Sequence, residues 1–404
     1  MKHSAAPALL VICLTPLLAS AQPWSFETVK PYGVYFDLAV DAAGNPHVVF
    51  SNCQAWEECD PIISGQAELT YGRKTGGNWT FEPIAPHPQG DLLSIIVDDA
   101  GTPHIAYKDS TYQMRYGYRD AGGWQLEDHS HEVLLRYRAS PSLVLDAIGD
   151  PHIAFIEGER IRYASRDGMI WTNEVVTGSS MDNWSARSPI AIDGSGTLHV
   201  GAWMYSTSAV FFTRGASAWT YEALNGAIGW SPWMVVDEND AAHFIYHGAG
   251  LLYATNATGT WVEETIDPRG DNSADDIALD GAGRPFVAYT TSELVTFEPP
   301  WLYDARLWFA WRDDGLWRKE LIHAVTGVDD WSMLPRLEID DAGTLHLLYH
   351  DPGTDEMRYG TLRTLTSVTT PPRANIARIL DIRPNPFNPA TQIMIHLDSP
   401  EEVD

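Results

Sequence analysis

Alternating apolar and polar positions recur along this chain in pairs of short runs separated by an Asp-x-x-Gly turn or a close variant of it. The pattern occurs seven times, for example as VDAAGNPHVVF (40–50) and VDDAGTPHIAY (97–107). Alternation predicts half-buried β-strands, and Asp with Gly between two such runs predicts a hairpin turn. The Asp residues that mark the turns are Asp41, Asp98, Asp146, Asp193, Asp237, Asp280 and Asp340.

A second hairpin follows each of these turns. Its first strand carries an aromatic residue, assigned to Tyr71, Tyr116, Tyr163, Phe212, Tyr253, Phe309 and Tyr359. Its second strand begins with Trp-x-x-Glu, at Trp79, Trp124, Trp171, Trp219, Trp261 and Trp317. Four strands in each period of 43 to 60 residues are typical of one β-propeller blade.

The two ends of the repeat array predict how it closes. The last copy stops after its third strand, near 359–363, with no Trp-x-x-Glu behind it. That element stands instead before the first hairpin, as Trp24-Ser25-Phe26-Glu27. An N-terminal strand that completes the last blade removes the free sheet edges of an open array. We therefore predict an all-β, seven-bladed β-propeller over residues 22–363, closed by its N-terminal strand.

The repeats resemble those of secreted bacterial BNR or sialidase-like propellers over Trp24 to Arg363. The resemblance implies the fold and leaves the activity open. The repeats also depart from the sialidase Asp-box, Ser-x-Asp-x-Gly-x-x-Trp, because the Trp here belongs to a separate hairpin.

The segments on either side of the propeller indicate export. Residues 1–21 combine Lys2 and His3 with an apolar run and Ala19-Ser20-Ala21, which predicts a cleaved signal peptide. A linker rich in Thr and Pro is expected over 364–377. Residues 378–404 contain Pro-Asn-Pro-Phe-Asn-Pro (384–389) and resemble the start of the Por-type C-terminal sorting domain of type IX secretion, here truncated. We expect a secreted or cell-surface protein with no membrane span after cleavage.

Charge and cysteine content narrow the range of partners. Lys and Arg total 26 against 54 Asp and Glu, a formal charge of −28, and nucleic-acid binding needs clustered basic residues. We therefore expect no nucleic-acid partner. Cys53 and Cys59 would remain after cleavage and are predicted to form a disulfide in an exported protein. A metal pair is the alternative, although no other Cys would complete its site.

The regularly repeated residues are expected to build the scaffold. Six repeats carry a His at the start of the second strand, and the sixth repeat has Phe286 there, which favours packing and hydrogen bonding over catalysis. The repeat Asp supplies one carboxylate per turn, which suits a turn cap better than a Ca²⁺ loop. We expect no metal and no cofactor.

Candidate ligand-binding residues lie where the repeats differ, on the face where the blade-to-blade and the second-to-third strand connections emerge. Trp beside acidic and amide residues suits a sugar, and it also suits a protein interface. We predict a monomeric binding module for a glycan or an extracellular protein. The candidate residues are Trp56, Trp184, Trp230, Trp233, Trp301, Tyr303, Trp331, Arg138, Arg187 and Arg336.

A carbohydrate-active enzyme at the central funnel is the alternative hypothesis. A sialidase-like site needs three converging Arg, but Arg138, Arg187 and Arg336 stand at different distances from their repeat Asp. A glycosidase needs two carboxylates at a defined separation. Candidates by location are Asp182, Asp276, Asp330, Glu57 and Glu58, and a polysaccharide lyase would use His247, His350 and Tyr303. None of these sets forms a recognisable motif, so the catalytic residues, the ligand and the sequence beyond Asp404 stay open.

Overall fold

The fold is described from a computed structural model of the chain. The described residues are 24–31, 33–52, 68–86, 93–109, 113–128, 141–158, 160–177, 188–203, 209–216, 218–224, 230–269, 272–296, 301–328, 333–363, 378–383 and 392–396. The chain divides into two compact units, Met1–Thr364 and Leu365–Asp404. The described residues of the first unit form strands and turns, without any helix.

The first unit contains seven four-stranded antiparallel sheets, one for each predicted blade. Blade 1 contains β2 (Val34–Val40), β3 (Pro46–Asn52), β4 (Glu68–Thr75) and β5 (Asn78–Pro86). Blade 2 contains β6 (Ser94–Val97), β7 (Pro103–Lys108), β8 (Met114–Asp120) and β9 (Gly123–Asp128). Blade 3 contains β10 (Ser142–Leu145), β11 (Pro151–Glu157), β12 (Arg160–Asp167) and β13 (Ile170–Val175). Blade 4 contains β14 (Ile190–Ile192), β15 (Leu198–Trp203), β16 (Ala209–Arg214) and β17 (Trp219–Ala223).

The remaining blades follow the same plan. Blade 5 contains β18 (Trp230–Val236), β19 (Ala242–Gly248), β20 (Gly250–Thr255) and β21 (Val262–Asp267). Blade 6 contains β22 (Asn272–Leu279), β23 (Pro285–Leu294), β24 (Tyr303–Asp313) and β25 (Leu316–Val328). Blade 7 contains β26 (Arg336–Ile339), β27 (Thr344–Asp351), β28 (Glu356–Arg363) and β1 (Ser25–Pro31).

The N-terminal strand closes the ring. Strand order in blades 1 to 6 follows the chain, whereas blade 7 has the order β1-β28-β27-β26. Ser25 pairs with Thr361, and the antiparallel pairing continues to Pro31 opposite Glu356. The predicted seven-bladed propeller with N-terminal closure is confirmed.

The hydrophobic core lies between neighbouring blades. Val48 and Phe50 of blade 1 pack with Leu348 and Tyr359 of blade 7, and all four are buried. The opposite face of blade 1 packs in the same way on blade 2. Because each sheet buries both faces, a blade depends on both neighbours for its burial.

The Trp-x-x-Glu motif links each outer strand to the next blade. In every blade the Trp indole N–H donates to the Glu of the preceding blade, with N···O distances of 2.8 to 3.0 Å. The pairs are Trp24–Glu320, Trp79–Glu27, Trp124–Glu82, Trp171–Glu127, Trp219–Glu174, Trp261–Glu222 and Trp317–Glu264. These motifs are therefore structural, as predicted.

The repeat His joins two other repeated residues inside its blade. In five blades its Nδ1 lies 2.5 to 2.6 Å from a Tyr hydroxyl of the third strand. In six blades its Nε2 lies 2.9 to 3.5 Å from the repeat Asp. Blade 6 replaces the pair by Phe286 and Phe309, which stack with ring centroids 6.0 Å apart. The predicted structural role of the His residues is confirmed.

One aromatic residue of the third strands was wrongly assigned. The residue of blade 4 that stacks on its repeat His199 is Phe211, at a centroid distance of 4.8 Å, and not Phe212. Phe211 pairs with Gly201 in the register in which Tyr163 pairs with Ala154. Adjacent strand residues point to opposite faces, so Phe212 lies on the other side of the sheet.

The repeat Asp residues cap their turns. Asp41 Oδ1, for example, accepts the backbone N–H groups of Ala43 and Asn45 at 3.0 and 2.8 Å. The Gly of most of these turns has positive φ, as at Gly44 with φ 77°. In blade 5, Asp240 takes that conformation with φ 63°. Among the described residues, no group of three or more His, Cys, Asp or Glu is arranged to hold a metal ion.

The second unit contains one described hairpin, β29 (Arg378–Arg383) with β30 (Gln392–His396). The predicted signal peptide and the Cys53–Cys59 disulfide lie outside the described residues, and the sorting-type domain stays a prediction. No helix long and apolar enough to cross a membrane is found in the described part of the chain.

We expect loss of the closing hydrogen bond to destabilise the propeller. Trp24→Phe keeps an aromatic ring but removes the donor to Glu320, which should lower the free energy of unfolding by about 1–2 kcal/mol. Denaturant unfolding monitored by circular dichroism measures this change. Tyr221→Phe, at an exposed position of β17, is the control and should shift stability by less than about 0.5 kcal/mol. An unchanged midpoint in Trp24→Phe would show that closure does not need this bond.

Stability should fall as pH decreases below neutrality. Burial lowers the pKa of His47, His104, His152, His243 and His346, so each is neutral in the fold and gains a proton more readily when unfolded. Their contribution is fully present above the unfolded pKa of about 6.5 and is lost as pH falls through it. Thermal unfolding at pH 7.5 and 5.5 measures the drop.

A natural template supplies the control for this pH dependence. His346→Phe combined with Tyr359→Phe copies the Phe286–Phe309 pair of blade 6 and removes one of the buried histidines. The variant should lose less stability between pH 7.5 and 5.5 than the unmodified chain. An equal loss would assign the pH dependence to other groups.

Candidate functional site

The structure describes the side chains of four predicted ligand-binding residues: Trp233, Trp301, Tyr303 and Arg336. Trp230 begins β18, where only its backbone is described. The other predicted residues lie outside the described part of the chain and stay predictions: Trp56, Trp184, Trp331, Arg138 and Arg187. The candidate carboxylates Glu57, Glu58, Asp182 and Asp330 lie outside it as well.

Seven residues at one register position ring the top of the central channel. Each stands four residues before its repeat Asp, on the inner strand of a blade or just ahead of it. The ring consists of Asp37, Ser94, Ser142, Pro189, Trp233, Asp276 and Arg336. Sequence analysis singled out Trp233, Asp276 and Arg336 separately, but counting back from the repeat Asp would have shown that they share one level.

Side chains of this ring bond the backbone of the following blade. Asp37 Oδ2 accepts the N–H of Ile95 at 3.0 Å, and Asp276 Oδ2 accepts the N–H of Leu337 at 2.8 Å. Asp276 Oδ1 also accepts the N–H of Ile277 at 2.8 Å. Since both oxygens of Asp276 hold backbone groups, this candidate glycosidase carboxylate serves to join blades 6 and 7.

Arg336 is held in place between blades. Its side chain is 3% exposed, its Nε lies 3.1 Å from Asp37 Oδ1, and an Nη1 hydrogen donates to the Pro335 carbonyl at 2.7 Å. The guanidinium also lies 4.9 Å from the ring centroid of Trp233. The structure thus brings Arg336 and Trp233 together, as a cation–π pair at the channel.

Two residues further along the inner strands, six blades present apolar side chains and one presents an acid. The apolar members are Ala39, Ile96, Val144, Ala191, Val235 and Ala278, and the exception is Glu338. Glu338 lines the central cavity, which has a volume of about 440 Å³. Enclosure in the channel, together with the nearby carboxylates of Asp276 and Asp37, raises the pKa of Glu338 well above its usual value. Sequence analysis missed Glu338.

Blade 6 carries the second group of candidate residues. Its strands β24 and β25 have 11 and 13 residues, and the connection before β24 carries Trp301, which is 57% exposed. Leu302 donates its N–H to Thr296 Oγ1 at 2.7 Å and accepts that of Val295 at 2.7 Å. These bonds anchor the connection on both sides of Trp301.

Charged residues near Trp301 are only loosely paired. Arg306 lies 3.8 Å from Glu293 and 3.8 Å from Asp304, which is beyond hydrogen-bond distance. Glu293 and Asp304 face each other across β23 and β24, next to the pair Leu294 and Tyr303. An exposed indole therefore lies close to two carboxylates and a guanidinium with donor and acceptor capacity to spare.

The His residues of the hypothetical lyase site have other surroundings. His350 Nε2 lies 2.9 Å from Asp355 Oδ1 within blade 7. His247 lies in blade 5, where its backbone pairs with Trp230. Neither is shown in contact with Tyr303, which opens β24 in blade 6.

Comparison with known proteins supports the fold. No protein-family model matches the sequence, and no curated protein matches it. Among solved structures, the β-propeller domain of Cps50 (Swd1) from Myceliophteria thermophila is similar at 12% identity, over 84% of this chain and 99% of that chain, with a TM-score of 0.52.

Two further structures resemble the chain more weakly. AofleA from Arthrobotrys oligospora has 13% identity over 76% of this chain and 93% of that chain, with a TM-score of 0.49. A variant of the Aleuria aurantia lectin in complex with Fucα1-6GlcNAc has 12% identity over 74% and 98%, with a TM-score of 0.46. At these identities similarity shows the propeller fold alone.

The buried pair of Arg336 and Asp37 predicts a strong effect of single substitutions. Arg336→Met leaves Asp37, which is 7% exposed, without its cation and should destabilise the protein by about 3–5 kcal/mol. Adding Asp37→Asn, which keeps an oxygen for Ile95, should recover part of the loss. Denaturant unfolding of the single and double variants measures both effects. A double variant less stable than Arg336→Met would contradict this assignment.

Proposed function

We propose that this protein is an extracellular binding module that recognises a glycan on the face bearing the β23–β24 connection, with Trp301 as a stacking residue. One observation carries the proposal: a large indole is 57% exposed on an extension of blade 6 that the other blades lack. Burying a Trp ring against a ligand is favourable, so an anchored and exposed indole suits a binding surface.

The polar residues near Trp301 favour a sugar over a purely apolar ligand. A sugar ring offers an apolar face of C–H groups for the indole and hydroxyl groups around its edge. Glu293, Asp304 and Arg306, separated by 3.8 Å contacts, can accept and donate hydrogen bonds to such hydroxyls. A protein partner, the other ligand considered from the sequence, becomes an outcome of the test.

Binding is preferred to catalysis because the repeated polar residues serve the scaffold. The Trp–Glu pairs join blades, the repeat Asp and His residues order the hairpins, and Asp276 holds two backbone groups. Export also fits glycan recognition. The signal peptide, the linker 364–377 and the sorting-type segment belong to this proposal as sequence-based predictions.

A glycan array probed with the full chain tests the proposal. We expect binding to a restricted set of glycans, and Trp301→Ala should weaken that binding about tenfold or more, the effect of a hot-spot residue. The matched control is Tyr221→Ala, which removes another exposed aromatic ring (63%) from an outer strand of blade 4. It should leave binding unchanged.

Each outcome is informative. Equal loss in both variants would point to a general effect on the fold, and thermal unfolding of each variant checks this. Retained binding in Trp301→Ala would remove this residue from the site. Absence of binding to any glycan would overturn the proposal and favour a protein partner. Incubating bound glycans with the protein and analysing them by mass spectrometry detects any turnover.

A further inference from the structure

We propose that the central channel is a separate binding site for a small primary ammonium compound that carries hydroxyl groups, such as an amino sugar. The Glu338 carboxylate would receive the ammonium group, and the Ser142 hydroxyl would bond a ligand hydroxyl from the opposite wall. This inference does not depend on the glycan-binding face, because it uses other residues in another place.

Glu338 is the group that distinguishes the channel wall. It occupies the position that Ala39, Val144 and Val235 occupy in other blades, and it lines the cavity. No hydrogen bond or ion pair joins its carboxyl group to any described residue. An acid placed among apolar side chains without a partner is costly unless a ligand satisfies it.

The charge around Glu338 selects a cation. Asp37 and Asp276 lie close enough to act on it electrostatically. The cation Arg336 is already engaged by Asp37 at 3.1 Å and by Trp233. The group therefore has excess negative charge once Glu338 ionises, which repels an anionic ligand and attracts an ammonium ion.

Ser142 supplies a second group without a partner. It lines the cavity, its residue is 7% exposed, and its Oγ has no hydrogen-bond partner among the described residues. Its counterpart Ser94 in blade 2 accepts the N–H of Leu143 at 3.1 Å, a bond that joins neighbouring blades. Ser142 precedes Pro189 in the ring and makes no such bond, so its hydroxyl is available to a ligand.

The size and lining of the channel fit a small molecule. Its volume of about 440 Å³ falls in the range of about 300–1,000 Å³ typical of small-molecule sites. Blade 3, with Ser142, and blade 7, with Glu338, lie on opposite sides of the seven-membered ring. Ile96, Val144 and Val235 line the space with apolar groups that suit the C–H surfaces of a sugar ring.

Binding should depend on pH because it requires the ionised form of Glu338. Burial and the carboxylates of Asp276 on β22 and Asp37 on β2 raise the pKa of Glu338, while Arg336 lies on the same strand and His346 pairs opposite it on β27. In the free protein Glu338 therefore keeps its proton to higher pH than usual. Affinity for an ammonium ligand should rise as pH increases through that pKa, and should fall again when the amine loses its own proton.

Isothermal titration calorimetry of the full chain with glucosamine tests the proposal, with glucose and N-acetylglucosamine as ligands that lack the positive charge. At pH 7.5 we expect glucosamine to bind with one-to-one stoichiometry at least tenfold more tightly than either control. Glu338→Gln is isosteric with the protonated acid and should weaken glucosamine binding by tenfold or more. Ser142→Ala, which removes one neutral hydrogen bond, should weaken it about two- to tenfold.

Two further measurements separate this site from the glycan-binding face. Between pH 6 and 7.5 the unmodified chain should bind glucosamine more tightly at the higher pH, and Glu338→Gln should lose this dependence. Trp301→Ala should bind glucosamine as the unmodified chain does. Equal affinity for glucosamine and N-acetylglucosamine, or unchanged binding by a folded Glu338→Gln variant, would overturn the proposal.

Discussion

The hydrogen bond from each Trp indole to a Glu of the preceding blade is the interaction on which the rest of the structure depends. It occurs at all seven blade junctions, with donor–acceptor distances of 2.8 to 3.0 Å. In five junctions a basic side chain from the third strand also pairs with that Glu. Because the bond always runs between blades, a broken ring would leave a donor and an acceptor unpaired at its two ends. The N-terminal strand prevents this by supplying both Trp24 and Glu27 to blade 7.

Closure also determines where chemistry can differ between blades. The repeated Asp, His, Tyr, Trp and Glu residues are engaged with one another, so substituting them affects stability first. The inner strands have a different constraint, since their side chains meet around one axis and need not be identical. At one level the seven blades present two Asp, two Ser, one Pro, one Trp and one Arg, and Glu338 interrupts an apolar ring at the next level. Such variation on a regular scaffold is where binding specificity is expected.

Blade 6 departs most from the repeat, and its changes are connected. It replaces the His–Tyr pair by Phe286 and Phe309, and its repeat Asp280 pairs with Arg284 at 2.6 Å. It also has the longest strands, which carry Trp301. Apolar stacking therefore replaces a hydrogen bond inside this blade without loss of the sheet. The extension beyond it provides the exposed indole on which the proposed glycan site depends.

The sequence alone determined the number of blades, the strand order and the closure, because turn chemistry and alternation are local and recur with each period. It also determined the structural role of the Asp, His and Trp-x-x-Glu residues. It did not settle the register in blade 4, where a shift of one residue from Phe211 to Phe212 reverses the sheet face. Only the tertiary structure decided which residues meet in the channel. Asp37 and Arg336 lie 299 positions apart yet pair across one blade junction, since ring closure places the first inner strand beside the last. The neighbours of Glu338 depend on the same closure, which no local pattern in the sequence reveals.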